Sequence, residues 1–162
     1  AVVVAMPSPA PDASSVTRTK GGGPGLELYV NGADGPLRAE NGVRLGEGDQ
    51  IQLKYAASGR KHLMVVSVDG RGSVSPLYAS QRGVSLAVEP AGVHVLEGSI
   101  ILDDATGPEH IIGLFSDTPL EYEQVRQAAQ DALQRSGASA HLPDLDLARE
   151  DVIETRVMIM KE

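Results

Sequence analysis

The chain has no cysteine, no tryptophan, one phenylalanine and four tyrosines among 162 residues. Without cysteine there is no disulfide scaffold, no thiolate nucleophile and no Cys-ligated zinc or iron–sulfur centre. The shortage of flat rings removes the platforms on which sugars and nucleobases stack. It also leaves the core to Val, Ile, Leu and Met. Basic charge is short too: 14 Lys and Arg stand against 22 Asp and Glu, a net −8. Nucleic-acid binding needs Lys and Arg to displace counterions, so no nucleic-acid partner is expected. The imbalance is confined to one half. Residues 1–82 carry nine basic and seven acidic side chains (+2), and residues 83–162 carry five and fifteen (−10). That reads as a solubilising surface or, more sharply, as an acidic face for a basic partner or a cation.

Long apolar runs are absent as well. Ala1–Met6 offers six apolar residues, where a membrane span needs about 20. It reads as the tail of a removed leader, the last turn of a membrane helix, or an untidy terminus. Pro7-Ser8-Pro9-Ala10-Pro11-Asp12-Ala13-Ser14-Ser15 follows, an extended spacer by composition. Residues 1–20 are therefore expected to be a Pro/Ser-rich linker or membrane-proximal spacer. Residues 21–162 are expected to be a single domain, large enough for its own core.

Within that domain the pattern is one of short alternating runs. Leu26, Leu28 and Val30 share a strand face that ends at the Asn31-Gly32 turn signal, and Ile51, Leu53 and Tyr55 repeat the period of two. His62–Val68 is apolar on both faces, the mark of a central strand covered on both sides. Asp69-Gly70-Arg71-Gly72 is a hairpin signal leading into a return strand over Ser73–Tyr78. Val84, Leu86 and Val88, then Val93–Leu96, Ile100–Leu102 and His110–Phe115 supply further strands. Thr118-Pro119-Leu120-Glu121 has the form of a capping box, with Thr118 at the N-cap. It predicts a helix over 119–136 with Tyr122, Val125, Ala129 and Leu133 on the packed face and Gly137 closing it. The last strand, Val152–Met160, places Ile153, Val157 and Ile159 on one face and Met158 and Met160 on the other, and the helix is expected to cover one of them. The fold class is mainly β: a β-sandwich or open barrel of about eight to nine short strands with one appended helix.

Motifs for catalysis do not assemble. His62, His94, His110 and His141 lack the i, i+4 spacing with Glu of a zinc-binding helix, and read as surface or sheet-edge histidines. Gly137-Ala138-Ser139-Ala140-His141 begins like a nucleophile elbow but lacks the closing glycine and the preceding strand. Gly70-Arg71-Gly72-Ser73-Val74-Ser75 departs from the dinucleotide pattern at its last position and opens a strand where a helix is required. A glycosidase asks only for two facing carboxylates, which spacing does not test; the scarcity of aromatics speaks against it. No cofactor, metal or catalytic residue is expected. The residual ligand or partner candidates are Asp103, Asp104 and Glu109, three carboxylates within seven residues. They form either a calcium-holding loop or, as the favoured reading, a solvated acidic turn.

Gly48-Asp49-Gln50-Ile51-Gln52-Leu53, Val65–Gly72 and Ser75-Pro76-Leu77-Tyr78 together resemble the strand and turn signals of an uncharacterised bacterial domain family. The likeness runs on through Leu96–Asp104, the Pro108-Glu109 pair and Phe115-Ser116, roughly residues 21–136, and the final strand ending at Lys161 also fits. Ala79 stands where many relatives carry a proline. Such domains, of myxobacterial type above all, follow a membrane helix in regulators similar to anti-sigma factors. The resemblance implies a non-catalytic sensing or protein-interaction domain in the periplasm or outside the cell. It would have a protein partner and be tethered to the membrane through a segment upstream of Ala1. The alternative is a secreted structural or adhesion-type sandwich.

Overall fold

The computed structural model describes the backbone of Val2–Val4 and residues 22–137 and 141–162. The Pro7–Ser15 stretch and positions 138–140 of the elbow-like sequence lie outside the described residues. Two six-stranded sheets face each other. The first runs β1 (Val2–Val4), β10 (Ser99–Ile101), β5 (Gln50–Ala56), β2 (Gly25–Gly32), β3 (Gly35–Arg38), with β9 (Val93–Val95) also on β5. The second runs β4 (Val43–Leu45), β12 (Ile153–Lys161), β11 (Gly107–Ser116), β6 (His62–Val68), β7 (Val74–Tyr78), with β8 (Leu86–Ala87) also on β6. The pairings are antiparallel except that of β4 with β12. The architecture is sandwich-like, as the alternating runs imply. It has more strands than the eight or nine expected, because pieces of three or four residues such as β1, β3 and β4 are too short to register as periods.

The alternation of β6 explains the layering. Leu63 and Val65 point between the sheets, where they meet Leu28, Ile51 and Leu53 of the first sheet and Ile111, Phe115 and Ile159 of their own. Met64, Val66 and Val68 point the other way, into a second core shared with Ile112, Leu114 and the helix residues Val125, Ala129 and Ala132. A strand buried on both sides loses the polar half of its period, which is why His62–Val68 reads as one apolar run. The turn after β6 is held by the Asp69 side chain, whose Oδ1 accepts the Arg71 and Ser73 backbone N–H groups at 2.9 Å. Within β11, Gly113 is the gap that admits Leu26 from the opposite sheet: an added Cβ would stand 2.6 Å from Leu26 Cδ1.

The helix α1 spans Tyr122–Ser136, not 119–136. The capping box does not form, because its backbone groups are engaged elsewhere. Leu120 N–H donates to Ser85 Oγ at 2.9 Å and Ser85 N–H to Leu120 O at 2.8 Å. Thr118 is bound by Asp151 and Arg149, and Glu121 bridges Val84 as isolated β-structure. Tertiary partners thus keep 118–121 out of the helix that local sequence favours, with Glu121 extended. The other end follows expectation: Gly137 adopts φ 70° and its N–H returns to Leu133 O at 3.0 Å. The packed stripe is Val125, Ala128, Ala129 and Ala132, flanked by the partly buried Tyr122 and Leu133.

Two further expectations are corrected. The helix does not cover the Met158 and Met160 face of β12; its core partners are on β6, β7 and β11. The segment before β12 instead lies against that side of the sheet. It is tied there by Arg156, which donates to Leu142 O and, at 3.1 Å, to Pro143 O, and by Leu145 N–H on Glu154 at 2.7 Å. Residues 1–20 are not wholly a spacer outside the domain. Val2–Val4 pair with Ser99–Ile101 as an edge strand, since three consecutive valines next to an open sheet edge gain a ladder of backbone hydrogen bonds.

Candidate functional site

The three acidic candidates part company in the structure. Glu109 lies on β11 opposite Ile159 of β12, so it shares the inward face of that core residue. Lys161 stands two residues beyond Ile159 and therefore on the same face. The two side chains meet diagonally, Lys161 Nζ to Glu109 Oε2 at 2.8 Å, and each side chain is 1% exposed. Asp103 comes from the other sheet, just past β10, and its Oδ1 binds the same ammonium. It also accepts the Ala105 N–H at 3.1 Å, which shapes the loop it leads. Asp104, 72% exposed, points outward toward Arg71 at 3.7 Å. Solvent thus reaches Asp104 fully and Asp103 in part, its side chain 38% exposed, whereas Glu109 is buried.

The result is a lysine clamped between carboxylates from two sheets at one end of the sandwich. Burial works against charge on Lys161, but the carboxylates of Asp103 and Glu109 outweigh it and hold the ammonium above its ordinary pKa. Burial likewise opposes charge on Asp103, and its hydrogen bonds from Lys161 and the Ala105 N–H prevail, placing its carboxyl below the usual carboxylate range. An amine held protonated this firmly is neither a base nor a nucleophile at neutral pH. The cluster has the chemistry of a latch between β10, β11 and β12. Among the described residues no group of three His, Asp or Glu side chains is arranged to hold a metal ion.

Lys161 and Glu109 were legible in one respect. Each is a charge that continues the inward, apolar phase of an alternating strand: Lys161 follows Val157 and Ile159, and Glu109 precedes Ile111. An ion on that phase calls for a buried counter-ion. That the two pair with each other, and with Asp103, depends on the register of β11 against β12. The histidines fall on strands or loops: His62 on β6, His94 on β9, His110 on β11, and His141 on the segment before β12. His94 is set against the Tyr55 ring, centroids 5.4 Å apart, and its Nε2 lies 2.6 Å from Ala91 O.

A second feature, not marked by sequence reasoning, is a shallow groove of about 530 Å³ where β3 ends one sheet and β4 the other. Val30, Leu37, Ala39, Val43 and Leu45 form its apolar lining, with Arg38, Glu40 and Asn41 at the crossover. Leu37 is opposite Val30 in the β2–β3 ladder and so faces the same side, yet it is 68% exposed. The crossover is pinned from beneath: Met158 N–H donates to Asn41 Oδ1 and Gly42 N–H to Met158 O, both at 2.7 Å. Ala39 N–H donates inward to Leu28 O, so by alternation the outward-facing positions of β3 are Arg38 and Pro36. Proline has no N–H to offer there, and an added strand would lack that rung. Recognition at this edge falls to side chains.

Among the described residues no helix is long and apolar enough to cross a membrane. No protein-family model, no curated protein and no solved structure matches this chain.

Proposed function

We propose that this is a non-catalytic extracytoplasmic sensing or protein-interaction domain of a membrane-anchored bacterial regulator similar to anti-sigma factors, and that its contact surface is the β3–β4 groove. The observation that carries this reading is Leu37: a large apolar side chain left 68% exposed on the core-facing side of a sheet, continuous with apolar groove walls. Single exposed apolar residues are common, but one that prolongs a concave apolar surface on a rigid edge suits an apolar side chain of a partner. The interior charges support the same reading. Lys161, Glu109 and Asp103 are engaged with one another in holding the sheets together. The family resemblance supplies the setting. A sensor of this kind works by a difference in binding free energy between two states and needs a surface, not a reactive group.

The test uses the full-length protein in its own cell. Topology reporters fused after Glu162 should place the domain outside the inner membrane. Leu37→Asp, a change at an exposed site, should alter stability by no more than about 0.5 kcal/mol yet abolish the regulator's transcriptional response. A cytoplasmic reporter signal, or an unchanged response in a folded Leu37→Asp protein, overturns the proposal. Release of the domain into the medium after cleavage favours the secreted structural or adhesion alternative.

A further inference from the structure

We infer that Asn31 is a self-modification site, where the side-chain amide is lost through a cyclic imide formed with Gly32, and that β12 shields Asn41 from the same reaction. The chain has two asparagines, Asn31 and Asn41, and glycine follows each. Glycine has no Cβ to hinder its nitrogen, so an Asn–Gly pair closes on itself readily. The Gly32 nitrogen gives up its proton and attacks Asn31 Cγ. The new N–C bond forms as the C–NH2 bond breaks, and the side-chain nitrogen leaves as ammonia. Water then opens the imide at either carbonyl, giving aspartate or isoaspartate. Water is the only co-reactant in the balance.

The structure separates two pairs that the sequence makes equivalent. Asn41 is the more exposed residue of the two, so exposure alone would choose it. Yet both of its reacting groups are held by one residue of β12. Asn41 Oδ1 accepts the Met158 N–H and Gly42 N–H donates to Met158 O, both at 2.7 Å. Closing an imide there breaks both bonds. Among the described residues no hydrogen bond holds the Asn31 side chain. Gly32 has its pairing with Gly35, the last rung before the exposed Ala33-Asp34 turn. A terminal rung opens at low cost. The additional bond at Asn41, away from any fraying tip, makes a difference of about tenfold in rate. Val30 and Leu37 are the next but one pair in the ladder, and isoaspartate runs the main chain through an extra carbon between Val30 and Gly32. Modification thus loosens β3, which carries Leu37. Its bearing on recognition rests on the contact surface proposed above, and the chemistry does not.

Trypsin places Asn31 in the peptide 21–38 and Asn41 in 39–44, and neither contains glutamine. The whole protein is incubated at mildly alkaline pH, either folded or unfolded in urea, and digested at intervals. Mass spectrometry reads the mass gain of amide-to-acid conversion in each peptide. Folded, Asn31 should convert about tenfold or more faster than Asn41; unfolded, the two should convert at similar rates. Gly32→Ala places its Cβ 3.6 Å from Gly35 O, an ordinary contact, so it should fold normally and suppress conversion of 21–38. The isoaspartyl form, separated by ion exchange, should exchange its Leu37 amide hydrogen faster than the parent; an unchanged rate there cuts the link to the groove. Conversion of Asn41 as fast as Asn31 in the folded protein overturns the inference. So does a folded chain in which neither converts while the unfolded chain converts fully, or undiminished conversion in Gly32→Ala.

Discussion

Replacing Lys161 with methionine is the most direct probe of how the sandwich is closed. Glu109 is fully buried, and its carboxylate has one ion-pair partner among the described residues, Lys161 Nζ at 2.8 Å. Methionine keeps much of the lysine's length and apolar volume, so the change removes charge more than packing. A buried carboxylate deprived of its counter-ion costs about 3–5 kcal/mol. In a domain of this size each kcal/mol moves Tm by about 2–4 °C, so the expected fall is about 6–20 °C. Glu109→Leu alone should cost less, because Lys161 keeps Asp103, whose side chain is 38% exposed and draws on solvent as well. The double variant Lys161→Met/Glu109→Leu should recover most of the loss, since an apolar replacement of a whole buried pair is neutral or stabilising. Thermal melts and urea unfolding of the four proteins form a double-mutant cycle. A Lys161→Met protein within about 1 kcal/mol of the parent, or a double variant no better than Lys161→Met, would refute the reasoning.

Other outcomes follow from single sites. A Cβ at Gly70 would collide with the Thr106 carbonyl oxygen and come within 3.2 Å of Gly107 Cα, both backbone. Gly70→Ala should therefore cost about 1–3 kcal/mol, while Gly23→Ala, with open space around it, should be neutral in the same melts. Asp103 and Asp151 are both held below the usual carboxylate range. Hydrogen bonds from Lys161 and Ala105 overcome burial at Asp103, and the Arg149 hydrogen bond comes first at Asp151. Depressed carboxyls contribute stability that is present above their unfolded pKa near 3.9 and lost as pH falls below it. Acid unfolding curves should therefore steepen below about pH 4, and Asp151→Asn should flatten them. Calorimetry with calcium should show no micromolar binding at Asp103, Asp104 and Glu109, because Lys161 already holds two of the three and Asp104 points to Arg71; saturable binding there would reverse the assignment of the cluster as a latch.

Period and punctuation in the chain were enough for the secondary elements that alternate cleanly. Ile51, Leu53 and Tyr55, the two-faced run His62–Val68, the Asp69 turn and the Val125–Ala129 stripe follow from local residue order, since a strand exposes alternate residues and a helix every third or fourth. The Thr118–Glu121 box shows the limit of such reasoning. Its residues favour a helix locally, yet hydrogen bonds to Ser85, Arg149 and Asp151, some 30 positions away, keep them out of it. In the sequence the site showed only as a cluster of neighbouring acids and as two charges, Glu109 and Lys161, on the apolar phase of their strands. Asp103, Asp104 and Glu109 are neighbours in sequence, but the pairing of β11 with β12 buries Glu109 against Lys161, and the crossing from β10 brings Asp103 to the same ammonium. The groove beside Leu37 likewise forms only where the β3 end of one sheet comes together with the β4 end of the other. Local order sets which residues face together. Which faces meet, and what is left uncovered, is decided by contacts between residues far apart in the chain, and these exist only once the two sheets have closed.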